Sequence, residues 1–507
     1  MRRGWRVAEV CDGTGVLGDA LVINEGAVEW VGRQEDLGSG LDIEWANLPE
    51  AFITPGFVDA HVHLTATGVA LQGVDLSTAR SAAEILRAVH NAAQDLPQGS
   101  VVFGHGWDDS DWSLADLPSA IEVTAAAGGR TAYLSRVDVH SALVSADLLA
   151  APRQSDSFGS ALVRKDAHGH ARQLAFESLS AHQRAQLQGV ALVAAASQGI
   201  TSVHENAGPV VSSLQDMRSA LQCGASTSVP EVLAYWGALG QAAVAVTEGA
   251  VGAGGDLFVD GSIGSRTAHL CSPYADEDST GAAYVSREDM AMHIRECIAE
   301  GVQAGFHVIG DAAMEDICWA LAEAAGSAKT LPSNSVRLEH AEMVSREHEV
   351  VLKRHGVALS MQPMFDGLWG GPEGMYARRL GSARAGGMNR IADHIAGGLL
   401  VGFGSDSPVT NLGPWQAMAA AVHHHQRTQR IAGLAALAAH TVHAHALANV
   451  HAGVFAAGLP ADFGVWQVVE AGERPSFATA LAGVASGSQP VLVESYRQGN
   501  ALVGANR

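Results

Sequence analysis

Eight short runs of β-branched and apolar residues, most of them closed by a turn and followed by an Ala-rich helical stretch, constrain this chain more than any other feature. In order they read AFITPGFVDAH, ITSVHE, VPEVLAYW, DLFVDG, VQAGFHVIG, SVRLEH, GVALSMQP and LLVGFGSD. Strands that alternate with helices build a parallel sheet, and eight such units close on themselves. The expected fold is therefore α/β, a (β/α)8 barrel of the TIM type.

The units are unevenly spaced, because a long excursion over residues 64–199 separates the first run from the second. It carries helix signals of its own, such as SAAEILRAVHNAAQDL, and the aromatic, acidic stretch GHGWDDSDW. We read it as an insertion that covers the barrel mouth, within a barrel region spanning 53–452. The flanking segments, 1–52 and 453–507, are both short β-rich pieces broken by Gly, Asn and Pro, and they invite pairing with each other.

Composition narrows the partners. The chain has 507 residues, 47% of them hydrophobic and only 17% charged, which fits a compact globular protein. A net charge of −22 repels nucleic-acid phosphates and anionic membrane surfaces. Five scattered cysteines form no CxxC pair, so neither a disulfide framework nor a thiolate zinc cluster is expected. No secretory signal or apolar span of bilayer length is visible, and the expectation is a soluble, cytoplasmic protein without a nucleic-acid or membrane partner. Self-association into a homo-oligomer is left open.

The strongest local signal is His61-Val62-His63, at the end of an apolar run that follows Thr54-Pro55-Gly56. Residues i and i+2 of a strand face one side, so two imidazoles there can reach one divalent ion. In a chain with 23 histidines such a pair alone is weak. It gains force from His307, His340 and Asp406, which fall near the ends of the fifth, sixth and eighth runs, where a βα barrel gathers its catalytic groups. The competing expectation is a set of unrelated polar residues at strand ends.

The texts PGFVDAHVHL, GWDDSDW, DVHS, VDGSIGSRTAHLCSPYAD, HVIGDAA, RLEHAE, SMQP, GSDSPV and the closing GLPADF span nearly the whole chain. In their order and spacing they resemble the amidohydrolase superfamily, in particular its YtcJ-like branch that includes N-substituted formamide deformylase. The resemblance implies a metal-dependent hydrolase on the barrel, with both termini forming one composite β-sandwich. It makes His61, His63, His307 and Asp406 metal ligands, and His340 either a ligand of a second metal or a carbonyl-polarising neighbour.

One position departs from that pattern. Many members begin the fourth strand with a lysine that bridges two metals once carboxylated, whereas this chain reads Asp256-Leu257-Phe258-Val259-Asp260-Gly261. Its only lysines are Lys165, Lys329 and Lys353, none at the end of a candidate strand. Asp256 supplies a shorter carboxylate that could hold a second metal differently, bind water, or leave the site mononuclear. Glu205, ending the second run, is either a further ligand or an acceptor that fixes a ligand histidine.

Zinc is the expected ion, one or two per chain, with iron, manganese, nickel and cobalt also suited to imidazole and carboxylate. Asp406 is the expected general acid and base, with His340 beside it, in the hydrolysis of a small amide, formamide or cyclic amide. Trp107, Asp108, His140 and Arg266 are candidate substrate contacts, set against the plainer expectation that each is structural, as Trp112 is still more readily. Two alternatives stand: the same site acting on esters or lactones, and a catalytically silent barrel that binds or regulates.

Three other signals are discounted. The glycines of Gly13-Thr14-Gly15-Val16-Leu17-Gly18 precede a hairpin text and no helix. His423-His424-His425 reads as a solvated helix face or loop, and His443, His445 and His451 as helix-surface or packing residues. Neither HExxH nor GxSxG occurs.

Overall fold

The computed structural model describes residues 2–38, 41–107, 117–136, 141–149, 161–468 and 474–502. They form two compact units, one of residues 1–63, 192–208 and 220–507, the other of 64–191 and 209–219.

In the first unit eight strands follow one another in a single parallel sheet: Phe57–Val62, Ile200–Ala207, Glu231–Trp236, Gly252–Ala253, Gln303–Val308, Val336–His340, Ala358–Met361 and Leu400–Phe403. Most are buried along their whole length, which is why they read as near-continuous apolar runs. The ring closes at the carboxyl ends of its first and last strands. There the Asp406 amide donates to the His61 carbonyl at 2.8 Å, and the His63 amide to the Ser407 carbonyl at 3.0 Å.

The fourth strand is not where the sequence suggests it. DLFVDG lies beyond a two-residue strand, Gly252–Ala253, because Gly254 and Gly255 both have positive φ and end the pleat. Both glycines are required: a Cβ on Gly254 would stand 2.1 Å from the Gly305 Cα, and one on Gly255 2.2 Å from Asn206 Oδ1. Asp256 therefore sits just past a strand's carboxyl end. The first run also divides, since Ile43–Pro55 belongs to another sheet and the barrel strand begins only after Gly56.

That other sheet has seven strands and draws on both ends of the chain. Phe463–Gln467 pairs antiparallel with Ile43–Pro55, which runs parallel to Arg2–Asp12 on its other side. Alternate residues Trp5 and Val7, Leu21 and Ile23, Ala51 and Ile53, Phe463 and Val465 make its core. The segment containing the Gly13–Gly18 text is the turn and second strand of a hairpin.

The second unit carries a five-stranded sheet that its helix-like text conceals. Val74–Asp75, Val102–Trp107 and Ala132–Arg136 are parallel neighbours, and Ser141–Val144 and Leu162–Arg164 add antiparallel. These strands are too short to show a clear period of two. Helix Ala82–Gln94, capped by Ser81, lays Ile85, Val89 and Ala93 against this sheet's core, as its period predicts. Among the described residues no helix is long and apolar enough to cross a membrane.

Candidate metal centre

The carboxyl ends of the first, fourth, fifth, sixth and eighth barrel strands bring His61, His63, Asp256, His307, His340 and Asp406 together. All six are buried. They form overlapping sets of three donors, His61 with His63 and Asp256, Asp256 with His307 and His340, and His61 with His340 and Asp406, each with ligand atoms within 4.8 Å of one another.

Asp256 lies at the centre. Its Oδ1 is 3.5 Å from His61 Nε2, 3.4 Å from His307 Nδ1 and 3.8 Å from His340 Nε2, and its Oδ2 is 3.1 Å from His63 Nε2. Asp406 Oδ1 faces His63 Nε2 at 3.2 Å and His61 Nε2 at 3.4 Å.

Each imidazole is held from outside by its other ring nitrogen. His61 Nδ1 meets Glu339 Oε2 at 2.9 Å, His63 Nδ1 the Asn206 carbonyl at 3.0 Å, His307 Nε2 the Gly261 carbonyl at 3.3 Å and His340 Nδ1 Gln362 Oε1 at 2.8 Å. An outer nitrogen that donates to an acceptor leaves the inner one with a lone pair, the tautomer a metal ligand needs. The inner atoms His61 Nε2, His307 Nδ1 and Asp256 Oδ1 are buried without a hydrogen-bond partner, which is costly unless a cation fills the space between them. The donor set of four imidazoles and two carboxylates fits a divalent ion such as zinc.

The electrostatics agree. Burial opposes charge on the His63 ring, but Asp256 and Asp406 outweigh it and lift its pKa to about 10. His61 is raised against burial by the same two carboxylates. Burial also disfavours the Asp256 carboxylate, yet the imidazoles around it, His61 foremost, hold its pKa well below the ordinary value. The cluster stabilises positive charge at its centre.

Local backbone explains how sequence neighbours share the site. Alternation along Val336–His340 would turn His340 away from the side that Arg337 and Glu339 face. A left-handed φ of 67° at His340 and 47° at Ala341 breaks the pleat. Glu339 and His340 thus both serve the cluster, one holding His61 Nδ1 and the other with its ring centroid 5.0 Å from that of His61. Asp406, three residues past the end of its strand at Phe403, also has a left-handed φ, 56°.

The remaining candidates lie elsewhere. Glu205 is buried in its strand between His204 and Asn206 and belongs to none of the donor sets. Trp107 is buried in the core of the second unit, its Nε1 donating to the Leu134 carbonyl at 2.8 Å. Arg266 holds Asp276 through Nε and Nη2, at 3.1 and 2.8 Å. Asp108, Trp112 and His140 lie outside the described residues. His424 is buried rather than solvated, 3.6 Å from Asp366, which also holds the half-exposed His425.

Sequence reasoning missed Glu339, Asn206 and Gln362. The adjacency of Glu339 to His340 was the one available signal, and strand parity argued against it. It also missed Glu342, a carboxyl two residues beyond His340 whose pKa burial pushes up to about 7.

A model of the amidohydrolase family matches residues 46–488. The protein YtcJ of Bacillus subtilis (strain 168), which carries an amidohydrolase name, is 26% identical over 439 residues, covering 80% of each chain. The protein LONG AFTER FAR-RED 3 of Arabidopsis thaliana is 24% identical over 490 residues, covering 88% of this chain and 83% of its own. Among solved structures, an uncharacterized metal-dependent hydrolase from Pyrococcus furiosus superposes with a TM-score of 0.76 at 23% identity, covering 92% of this chain and 98% of its own.

Proposed function

The chain belongs to the amidohydrolase family, and from that premise we propose that it hydrolyses a non-peptide C–N bond in a small N-acyl, N-formyl or cyclic amide, using a divalent cation, zinc in the first instance. The observation that carries this reading is the convergence of four imidazoles and two carboxylates on one centre, with their inner atoms left unpartnered. We assign His61, His63, His307, His340, Asp256 and Asp406 as the residues that hold the cation.

A bound divalent cation supplies water ionised near neutral pH and polarisation of a carbonyl. Asp406 takes a proton from the attacking water on its carboxylate and returns it to the leaving nitrogen. An amide requires that second transfer, because an amide anion is a poor leaving group. His340, its Nδ1 fixed on Gln362, presents Nε2 to the same centre as a further donor to the cation. Beneath them the fully buried His61 and Glu339 exclude bulk water. A silent barrel has no chemical reason to keep all of these groups in place. We place the enzyme in the cytoplasm, on small-molecule substrates and without a nucleic-acid or membrane partner.

The test is a panel of formamides, N-acyl amines, cyclic amides and lactones, assayed on stripped protein before and after zinc is restored. Zinc-dependent turnover of at least one amide is expected. Lactone cleavage without any amide turnover reverses the order in favour of the ester reading. Protein that retains well below one ion per chain from metal-replete medium supports the silent barrel.

A further inference from the structure

Three of the four imidazoles rest on neutral acceptors, the carbonyls of Asn206 and Gly261 and the amide of Gln362. His61 alone rests on a carboxylate, that of Glu339. Glu339 is fully buried, and a buried carboxylate persists only when it is paired and hydrogen-bonded. Its partner is Arg337, two residues earlier on the same strand and equally buried, with Nε 2.7 Å from Oε1 and Nη2 3.0 Å from Oε2. Burial works against a charge on Glu339, and the guanidinium set against both of its oxygens lets the carboxylate stay ionised there.

The guanidinium is itself fixed from several strands. Nη1 donates to His204 Nδ1 at 2.9 Å, Nη2 donates to the Ala60 carbonyl, and the group lies over the Tyr235 ring at 4.5 Å. Ala60 precedes His61, so one guanidinium ties down both the backbone beside this ligand and the carboxylate on its ring. A buried ion pair is weak support for a fold, since apolar residues of similar volume often replace such a pair at no cost. Its place directly behind one metal-ligand candidate calls for another reason.

We propose that the Arg337–Glu339 pair is a positioning device that makes His61 the strongest donor of the four, so that a cation is gripped first on the side of His61, His63 and Asp256. The side of His307 and His340, backed by neutral acceptors, is the weaker. An ionised acceptor on the outer nitrogen raises the basicity of the inner one, and loss of such a partner typically costs 10–100-fold in metal affinity. This inference rests on the metal-site reading above.

The test uses the full chain, stripped of metal and titrated with zinc against a chromophoric chelator. The double variant Arg337→Met/Glu339→Gln removes both charges together and leaves a neutral acceptor for His61. It should keep the wild-type circular dichroism and lose about 10–100-fold in its tightest zinc affinity. Gln362→Leu, which removes the acceptor of His340, should leave that tightest step within a few-fold of wild type. Arg337→Lys keeps the charge but withdraws the fork from Glu339, and provides a second variant should the double one not fold; it too should weaken the tightest step. Wild-type affinity in either folded variant overturns the proposal. If the wild-type chain itself takes up no divalent cation, the metal-site reading fails with it, and the two failures are thereby distinguished.

Discussion

Oδ2 of Asp256 lies 3.1 Å from Nε2 of His63, so a carboxylate that leaves the fourth barrel strand meets an imidazole that leaves the first. Its other oxygen faces His61, His307 and His340. This one short side chain reaches donors on both sides of the cluster, because the fourth strand stops early and Gly254 and Gly255 turn the chain inward. Asp256→Asn keeps the shape and removes the charge. Zinc affinity should fall at least about tenfold, as for other disturbed metal sites, and unchanged stoichiometry and affinity would take Asp256 out of the site.

Asp406→Asn addresses proton transfer. The variant should fold normally and lose about 10²–10⁴-fold in kcat, the usual worth of a positioned general acid and base. Steady-state kinetics on zinc-loaded protein decides it. Retained turnover assigns the proton transfers to another group.

Cation uptake should release protons. His63 titrates at about 10 in the cation-free cluster, above its ordinary 6.5, so it is protonated at neutral pH. A ligand imidazole must be neutral. Zinc binding therefore expels a proton, and affinity rises with pH until about 10. Calorimetry at pH 8 in buffers of different ionisation enthalpy should report at least about one proton released per ion, since His61 is raised by the same carboxylates; a buffer-independent heat contradicts it.

Gly255→Ala tests the turn that delivers Asp256. The backbone there has φ 81°, and the new Cβ would stand 2.2 Å from Asn206 Oδ1, on the residue whose carbonyl holds His63. We expect a loss of about 1–3 kcal/mol in stability together with weaker zinc binding. Thermal melts and the chelator titration measure the two effects separately.

Acid stability follows from Glu339. Its pKa is about 2 when folded, against an ordinary 4.5, so its contribution is fully present above pH 4.5 and is lost as pH falls toward 2. In urea unfolding between pH 6 and pH 3, Arg337→Met/Glu339→Gln should show a flatter loss of stability than wild type. Parallel slopes would show that the pair adds nothing in that range.

Trp107→Phe separates packing from recognition. Loss of the bond from Nε1 to the Leu134 carbonyl should cost about 1 kcal/mol with KM unchanged. A shift in KM at constant stability returns Trp107 to the substrate.

The sequence alone determined the parallel barrel and five of the six clustered donors at strand ends, because strand periodicity and turn residues are local and the barrel gathers strand ends at one rim. The family resemblance drew attention to Asp256, where many members carry a lysine. Tertiary structure decided how that aspartate and the histidines meet. The glycine pair that ends the fourth strand, the left-handed turn that sets Glu339 beside His340, and the Arg337 fork that joins strands distant along the chain all depend on close approach between segments. No local pattern encodes such approach, and short strands like those of the second unit leave no period to read. The choice of acceptor behind each imidazole is a property of the closed barrel, because the partners meet only once it has formed.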